Sequence, residues 1–522
     1  MATTIKKIRL INFKRFQNYV IEPNERINIL VGDNEVGKSS ILEAIDLVGC
    51  GSIRNIESIG LDKLLNIEAV FEFNKGPRVF DNLPILRIEL YLTLDHPDPC
   101  MNGKNNTEEV KCDGIRLVCA PNPDYRTEIT EILSSHSDFF PYDYYSIHFS
   151  TFADEGYTGY KKKLRVTMID SVNMNSEYAT TDFVRRMYMQ YTEAYIKERA
   201  QHKSEYRLLR QSFCENSLNS LNARVPAEKK YAFGLKSGNA MVLENDLMIY
   251  EDNIGIDSKG TGRQVFVKTD FALERAGDNV DVILIEEPEN HLSPINLRKL
   301  VQRVSEAQSG QLFITTHNSM ISTRLELKNL LIMHANGENK PITLKDLSSD
   351  TAKYFMKAPS ASIIEYALAY KVVLVEGPSE YMLLEKFYLS VTGCTPEDDN
   401  VLIIDIRGLS FLRYLEIATL VGSKVAVITD NDKDYQKHCV DKYRAFEKCS
   451  NINIFYDTDN TKPTFEIILY SENVALCNSL YGADAQLFML NNKTEAAYKL
   501  LSQENAISVP CYIKRAIEWI RK

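Results

Sequence analysis

Residues 27–45 read INILVGDNEVGKSSILEAI: an apolar run, a glycine-bounded turn, then a segment of helical character. Inside it, Gly32-Asp33-Asn34-Glu35-Val36-Gly37-Lys38-Ser39 fits the pattern GxxxxGK[ST] in the strand-then-helix context that the pattern needs. Its glycines let backbone N–H groups curl around phosphate oxygens, and the helix N-terminus adds partial positive charge. Lys38 is expected to reach the terminal phosphates and the Ser39 hydroxyl to ligate Mg²⁺, with Asn34, Gly37 and Ser40 as further nucleotide contacts.

Working outward, a phosphate loop needs a partner carboxylate. Ile283-Leu284-Ile285-Glu286-Glu287 supplies one, an apolar strand ending in two acids. Glu286 is placed to hold Mg²⁺ through water and Glu287 to polarise an attacking water. Alone, a strand followed by acids is an ordinary surface turn. Here it continues as Pro288-Glu289-Asn290-His291-Leu292, and a second apolar strand later ends at Thr315-Thr316-His317-Asn318. Phosphate loop, strand with paired acids, strand ending in His is the order of an ABC-type ATPase.

The second half carries other chemistry. Glu376 and Gly377 end one apolar strand, Glu380 falls in the helix expected next, and Asp430 and Asp432 end another strand. Acids at the C-terminal ends of neighbouring parallel strands converge on one sheet edge. Gathered carboxylates repel one another, so divalent cations are their natural neutraliser. Two such ions about 3.5–4 Å apart activate water and stabilise a leaving oxygen in phosphodiester cleavage. Singly, each of these acids reads as a solvated strand end; together they read as a metal site.

Elsewhere the sequence is ordinary. With 522 residues, 44% apolar and 25% charged, several domains are expected. No run approaches about 18 apolar residues, so no membrane span is expected. MATTIKKIRLINFKRF alternates like a strand, not a signal peptide. Ten scattered cysteines without metal spacing point to reduced thiols and a cytoplasmic location. The net charge of −10 requires any nucleic-acid-binding face to concentrate its Lys and Arg, for example at Lys161–Lys163 or Arg185–Arg210. A solvated helix face explains either run as well. The order strand, turn, strand, loop, helix is expected over 5–45, antiparallel strands at IEAVFEF and LRIELYLTL within 66–96, and a short strand at GIRLVCA. One or two long helices are expected over 182–222 and a linker at about 335–366. A second α/β unit then starts at VVLVEG (372–377).

Residues 1–335 resemble the ABC ATPases of the SMC and RecF type, which open with a motif like Ile8-Arg9-Leu10-Ile11-Asn12-Phe13-Lys14-Arg15-Phe16. The resemblance implies that Glu287 is the catalytic base, His317 the switch histidine that senses the γ-phosphate, and Glu289-Asn290-His291 a segment facing a second subunit. It also implies that Gly260-Thr261-Gly262-Arg263-Gln264 is the signature contacting ATP across a dimer, through Thr261 and Gly262. Thr261 and Arg263 depart from the usual LSGGQ, Glu286 replaces the usual Asp, and no Q-loop glutamine is placed. The E-G-x-x-E and D-x-D acids resemble a Toprim domain. Their fusion behind an ABC ATPase resembles the OLD (overcoming lysogenization defect) family of ATP-dependent endonucleases, as do the Gabija nuclease subunit and some retron effectors.

That likeness implies an α/β chain divided as ATPase 1–164, inserted helical dimerisation region 165–232, ATPase 233–366 and Toprim nuclease 367–522. Glu376, Glu380, Asp430, Asp432 and Glu466 become metal ligands, Lys493 a stabiliser of transition-state charge, and Gly408 a turn beside the site. The implied cofactors are ATP and Mg²⁺ or Mn²⁺. The implied partners are DNA, a second copy or higher homo-oligomer, and a companion defence protein or regulatory nucleic acid. The expected function is a nucleotide-regulated DNA endonuclease or nickase in anti-phage defence. A DNA-clamping assembly ATPase of the RecF or SMC kind is the alternative; it leaves the second acid cluster without a purpose. A topoisomerase needs a positioned nucleophilic Tyr on additional domains for which no room remains, and a primase needs template-binding and priming elements that the sequence does not show.

Overall fold

Alternating side chains make β1 (Thr4–Phe13) a strand that buries Ile5, Ile8, Leu10 and Phe13. The computed structural model describes residues 3–522 except 95–97, 136–138, 160–161, 171–176, 193–194, 226–230, 236–242, 275–279, 291, 307–309, 335–339, 358–361, 407–409 and 504–505. Two compact units result: Met1–Leu30 with Gly37–Thr316, and Val31–Val36 with His317–Lys522.

In the first unit, β1 pairs antiparallel with β2 (Phe16–Ile21). The loop of the opening motif joins β3 (Ile27–Gly32) to helix α1 (Lys38–Cys50). IEAVFEF is a correction: it forms helix α2 (Ile67–Lys75), not a strand. Asn66 caps it by accepting from the Ala69 N–H at 2.8 Å, Gly76 follows its end, and Val70 and Phe73 bury at helical spacing while Ile67 and Phe71 stay exposed. The expected strands do form at β4 (Leu86–Thr93) and β5 (Cys112–Pro121); β6 (Tyr145–Thr151) completes an antiparallel layer ordered β2-β1-β4-β5-β6.

A parallel layer is ordered β7 (Val166–Asp170), β8 (Val282–Glu286), β9 (Gln311–Thr315), β3. Strand β7 thus occupies the start of the stretch expected to be an inserted helical region. Two long helices, Glu177–Tyr191 and Ile196–Ser212, follow it. Two side-chain clamps hold these layers. Buried Gln311 donates to the carbonyls of Ile5 (2.9 Å) and Asn24 (2.7 Å) and accepts from the Ile5 N–H at 2.7 Å. The Arg165 guanidinium donates to both Asp281 oxygens at 2.9 and 3.0 Å, tying the start of β7 to that of β8.

In the second unit, the proposed linker proves to be structured. Helices Ser349–Lys357 and Ile363–Leu368 bury Phe355 and Tyr366 against Tyr414, and the Tyr366 hydroxyl donates to the Tyr414 carbonyl at 2.6 Å. The polar residues that suggested a loop form the outer faces of short amphipathic helices. A parallel sheet follows, ordered β11 (Val401–Asp405), β10 (Lys371–Val375), β12 (Lys424–Ile428), β13 (Ile452–Phe455). Its central strands are continuous apolar runs because both faces are covered. Val373, Leu383, Phe387, Phe465, Leu500 and Ile517 share the core on one side.

Candidate functional site

Lys38 opens α1 and is buried, with Ser39 exposed and Ser40 partly so beside it. No side-chain hydrogen bond caps this helix. Gly37 sits at φ 96°, and a Cβ there would meet the Phe16 ring at 2.5 Å, so glycine is required by conformation and by space. Asn34 and His317 lie in the other compact unit, both exposed. There, a Cβ on Gly32 would meet the Met333 carbonyl oxygen at 2.6 Å.

Glu286 ends β8 and is buried. Register pairs it with Thr315 of β9, and Thr315 in turn pairs with Leu30 of β3. Strand β9 therefore runs between β8 and β3. Glu287 turns away at φ 39°, its N–H donating to the Thr315 carbonyl at 3.1 Å while its carboxylate accepts from Asn290 at 2.7 Å. Glu289 accepts from the Thr316 hydroxyl at 2.6 Å. His291 lies outside the described residues.

Thr261 begins helix Thr261–Glu274, with Gly260 just before it, so the stretch expected to be the signature stands at a helix start. Arg263 and Lys259 both pair with Glu251, whose carboxyl they hold near 2, and buried Gln264 donates to the carbonyls of Lys259 (2.9 Å) and Asp257 (3.3 Å). Arg263 is thereby engaged within its own unit.

The acids of the second half converge. Glu376 follows β10 and accepts from the Thr429 hydroxyl at 2.6 Å and the Asp430 N–H at 3.1 Å. Glu380 stands in the first turn of helix Pro378–Thr392, and Glu466, 3% exposed, in the first turn of Phe465–Glu472. Lys493 opens Lys493–Leu501 and reaches Glu466 at 3.1 Å. Burial pushes the Glu380 carboxyl up to about 7, with the charges of Glu466 and Glu376 adding to it. Burial likewise pushes Asp430 up to about 9, reinforced by Glu376, Glu380 and Glu466. Burial opposes the charge on Lys493, but Glu466 prevails and raises its pKa. Asp432 stays exposed at φ 48°, and Gly408 lies outside the described residues.

Among the described residues, no group of three or more His, Cys, Asp or Glu side chains is placed to hold a metal ion. The donor chemistry nevertheless fits a divalent cation. Hard carboxylate oxygens repel one another here, and the buried Glu466 carboxylate is met by the Lys493 ammonium at 3.1 Å.

Sequence reading missed Thr429, Asn431 and Asp405. Thr429 orients Glu376. Buried Asn431 donates to the carbonyls of Asp457 (3.0 Å), Asp459 (3.0 Å) and Lys462 (3.2 Å), fastening the loop after β12 to the loop after β13. Asp405 ends β11 beside Val375. Thr429 and Asn431 adjoin Asp430 in the chain, but no spacing rule distinguishes a positioning hydroxyl or amide from a surface one.

Comparison with known proteins matches residues 368–432 to the Toprim domain of overcoming lysogenization defect protein-like chains. AAA-domain models match residues 7–116 and 257–322. The DNA replication and repair protein RecF of Idiomarina loihiensis is 38% identical over 76 residues, 15% of this chain and 20% of that one. Endonuclease GajA of Bacillus cereus is 24% identical over 189 residues, 35% of this chain and 32% of that one. The chain thus spans a third or less of the length of either relative. An SMC head bound to the C-winged helix domain of ScpA superposes with a TM-score of 0.33 at 16% identity, covering 66% of this chain and 100% of that one.

Proposed function

From an ABC-type ATPase part followed by an OLD-like Toprim domain, we propose that this chain is a nucleotide-regulated, metal-dependent DNA endonuclease or nickase of anti-phage defence. One observation carries the reading: Glu376, Glu380, Asp430 and Glu466 gather at one sheet edge with Lys493 beside them. In this reading Glu376, Glu380, Asp430, Asp432 and Glu466 hold Mg²⁺ or Mn²⁺, which supplies Lewis-acid activation of water and stabilises the leaving oxygen. Thr429 and the Asp430 N–H fix the Glu376 carboxylate, so that edge is preorganised before substrate arrives. Lys493, kept charged by Glu466, stands ready for negative charge developing on the phosphate. The raised pKa values let Glu380 and Asp430 hold protons near neutral pH and release them when cations bind.

In the ATPase part, Asn34, Gly37, Lys38, Ser39 and Ser40 bind nucleotide, Ser39 and Glu286 hold its Mg²⁺, Glu287 acts as base and His317 senses the γ-phosphate. Thr261 and Gly262 complete the site of a second copy, which makes the working unit a homodimer or larger. The division 1–164, 165–232, 233–366 and 367–522 belongs to the same proposal, as does a cytoplasmic location. Among the described residues, no helix is long and apolar enough to cross a membrane.

The test is supercoiled plasmid with Mg²⁺ or Mn²⁺, with and without ATP, beside Glu376→Ala and Lys38→Ala. Wild type should nick or linearise the plasmid, and Glu376→Ala should lose at least a hundredfold in rate while binding ATP normally. Lys38→Ala should lose ATP binding, and its cutting rate gives the sign of nucleotide control. Unchanged cutting by Glu376→Ala would remove the acid cluster from the chemistry. ATP turnover and DNA binding without cutting would favour the clamping ATPase.

A further inference from the structure

Resting on the nuclease reading, we propose that the loops after β12 and β13 bind one unpaired DNA strand, with Tyr435 and Tyr456 stacking a nucleobase beside the carboxylate edge. The two rings lie nearly parallel, 17° apart with centroids at 5.9 Å, and both remain partly exposed. Such a pair is an apolar plate on an otherwise polar surface, and bases of any sequence stack on aromatic faces.

Its surroundings suit a polyanion. From Lys433 to Lys448 the chain carries Lys433, Lys437, Lys442, Arg444 and Lys448 against Asp434, Asp441 and Glu447, in a protein whose net charge is −10. Lys433, Lys437, Arg444 and Lys448 are exposed, and none forms an ion pair with a described residue. Arg515 adds a guanidinium that donates to the Tyr456 carbonyl at 3.3 Å. A backbone of phosphates would meet these cations while its bases meet the rings.

The plate is also fixed relative to the acids. Asn431, between Asp430 and Asp432, holds the Asp457–Lys462 loop through three carbonyls. The Tyr435 N–H donates to Asn460 Oδ1 at 3.1 Å, so both tyrosines belong to one clamped pair of loops. The π-helical turn Gln436–Val440 that follows is tied back by Cys439 Sγ, which donates to the Asp430 carbonyl at 3.4 Å. Asp432 and Lys433 take φ of 48° and 71°, conformations that persist only when surrounding contacts over-determine them. Only Lys433 and Asp434 separate Asp432 from Tyr435, so a base on the plate sets its own phosphate close to the cluster. This arrangement favours a single strand over a duplex, whose bases are stacked on each other.

The experiment is fluorescence anisotropy of a labelled 20-nucleotide thymidine strand with the full chain in EDTA, where nothing is cut. Tyr435→Ala and Tyr456→Ala should each weaken binding roughly five- to hundredfold, Tyr435→Phe should restore it, and affinity for a labelled 20-base-pair duplex should change less than twofold. Lys437→Ala/Lys448→Ala should flatten the slope of log affinity against log salt by about 0.7 for each phosphate left without its cation. Single-strand binding within twofold of wild type in both alanine variants overturns the plate. So does an equal loss for strand and duplex. If the tyrosine variants fail to fold, an unchanged salt slope in the lysine pair overturns it instead. Because binding is read without cleavage, loss of binding in a protein that never cuts plasmid would sink the nuclease reading and leave the strand site standing.

Discussion

At the scale of single residues, the acid cluster couples protons to stability. Folding raises Asp430 from its ordinary 3.8 to about 9 and Glu380 from 4.5 to about 7, so the folded state binds more protons than the unfolded one across that range. Stability from these groups is complete below about pH 4 and falls as pH rises toward 9. In EDTA, the melting temperature of wild type should fall between pH 5 and pH 9, and Asp430→Asn should flatten that slope. Mg²⁺ should raise the melting temperature more at pH 8 than at pH 5, because cation and proton compete for the same oxygens. Equal slopes for wild type and Asp430→Asn would mean that Asp430 titrates normally. The acids themselves were legible, since each follows an apolar run or opens a helix. Thr429 and Asn431 were not. Their importance lies in what they touch, and a hydroxyl on Glu376 or an amide on three carbonyls has no signature in a single sequence.

At the scale of elements, the parallel strands announced themselves as unbroken apolar runs. VILIE, VLIID and the run beginning at Val372 match β8, β11 and β10 within a residue. IEAVFEF misled because its alternation of Ile67, Ala69, Phe71 and Phe73 fits a strand as well as a helix. The deciding residues were Asn66 and Gly76 at its ends, a cap and a stop that outweigh a weak period. The join between β7 and β8 supplies a test. Removing the Asp281 carboxylate takes two acceptors from the Arg165 guanidinium and also deprives the Arg165 N–H of its acceptor at 2.9 Å. Asp281→Ala should therefore cost about 1–3 kcal/mol, since Arg165 is partly exposed and water recovers some of the loss. A urea midpoint of the ATPase transition equal to wild type would show that the pair contributes nothing.

At the scale of the whole molecule, ten free cysteines report on burial. Burial pushes the thiols of Cys119 and Cys439 up to about 12 and Cys477 up to about 11, whereas Cys511 is exposed. Since the thiolate is the reactive form, a brief iodoacetamide pulse at pH 8 should label Cys511 and leave Cys119, Cys439 and Cys477 unmodified until the chain unfolds. Peptide mass mapping reads the order, and early labelling of Cys119 would contradict its buried place on β5. The order of ATPase before Toprim was legible from motifs alone, whereas helices within 349–368 were hidden by their polar outer faces.

Gln311 grips Ile5 across 306 residues of chain. A ribosome adding about 5–20 residues each second needs roughly 15–60 s to travel that distance. Throughout that interval β1 has no Gln311, and β3 has no β9 to lie against. The first half of the protein is therefore born waiting, its apolar edge open to any chaperone or wrong neighbour, and it closes only as the acid-bearing second half begins to emerge. Synthesis itself thus sets the sequence of events: β9 reaches β3 before the carboxylates from Glu376 to Glu466 have been made.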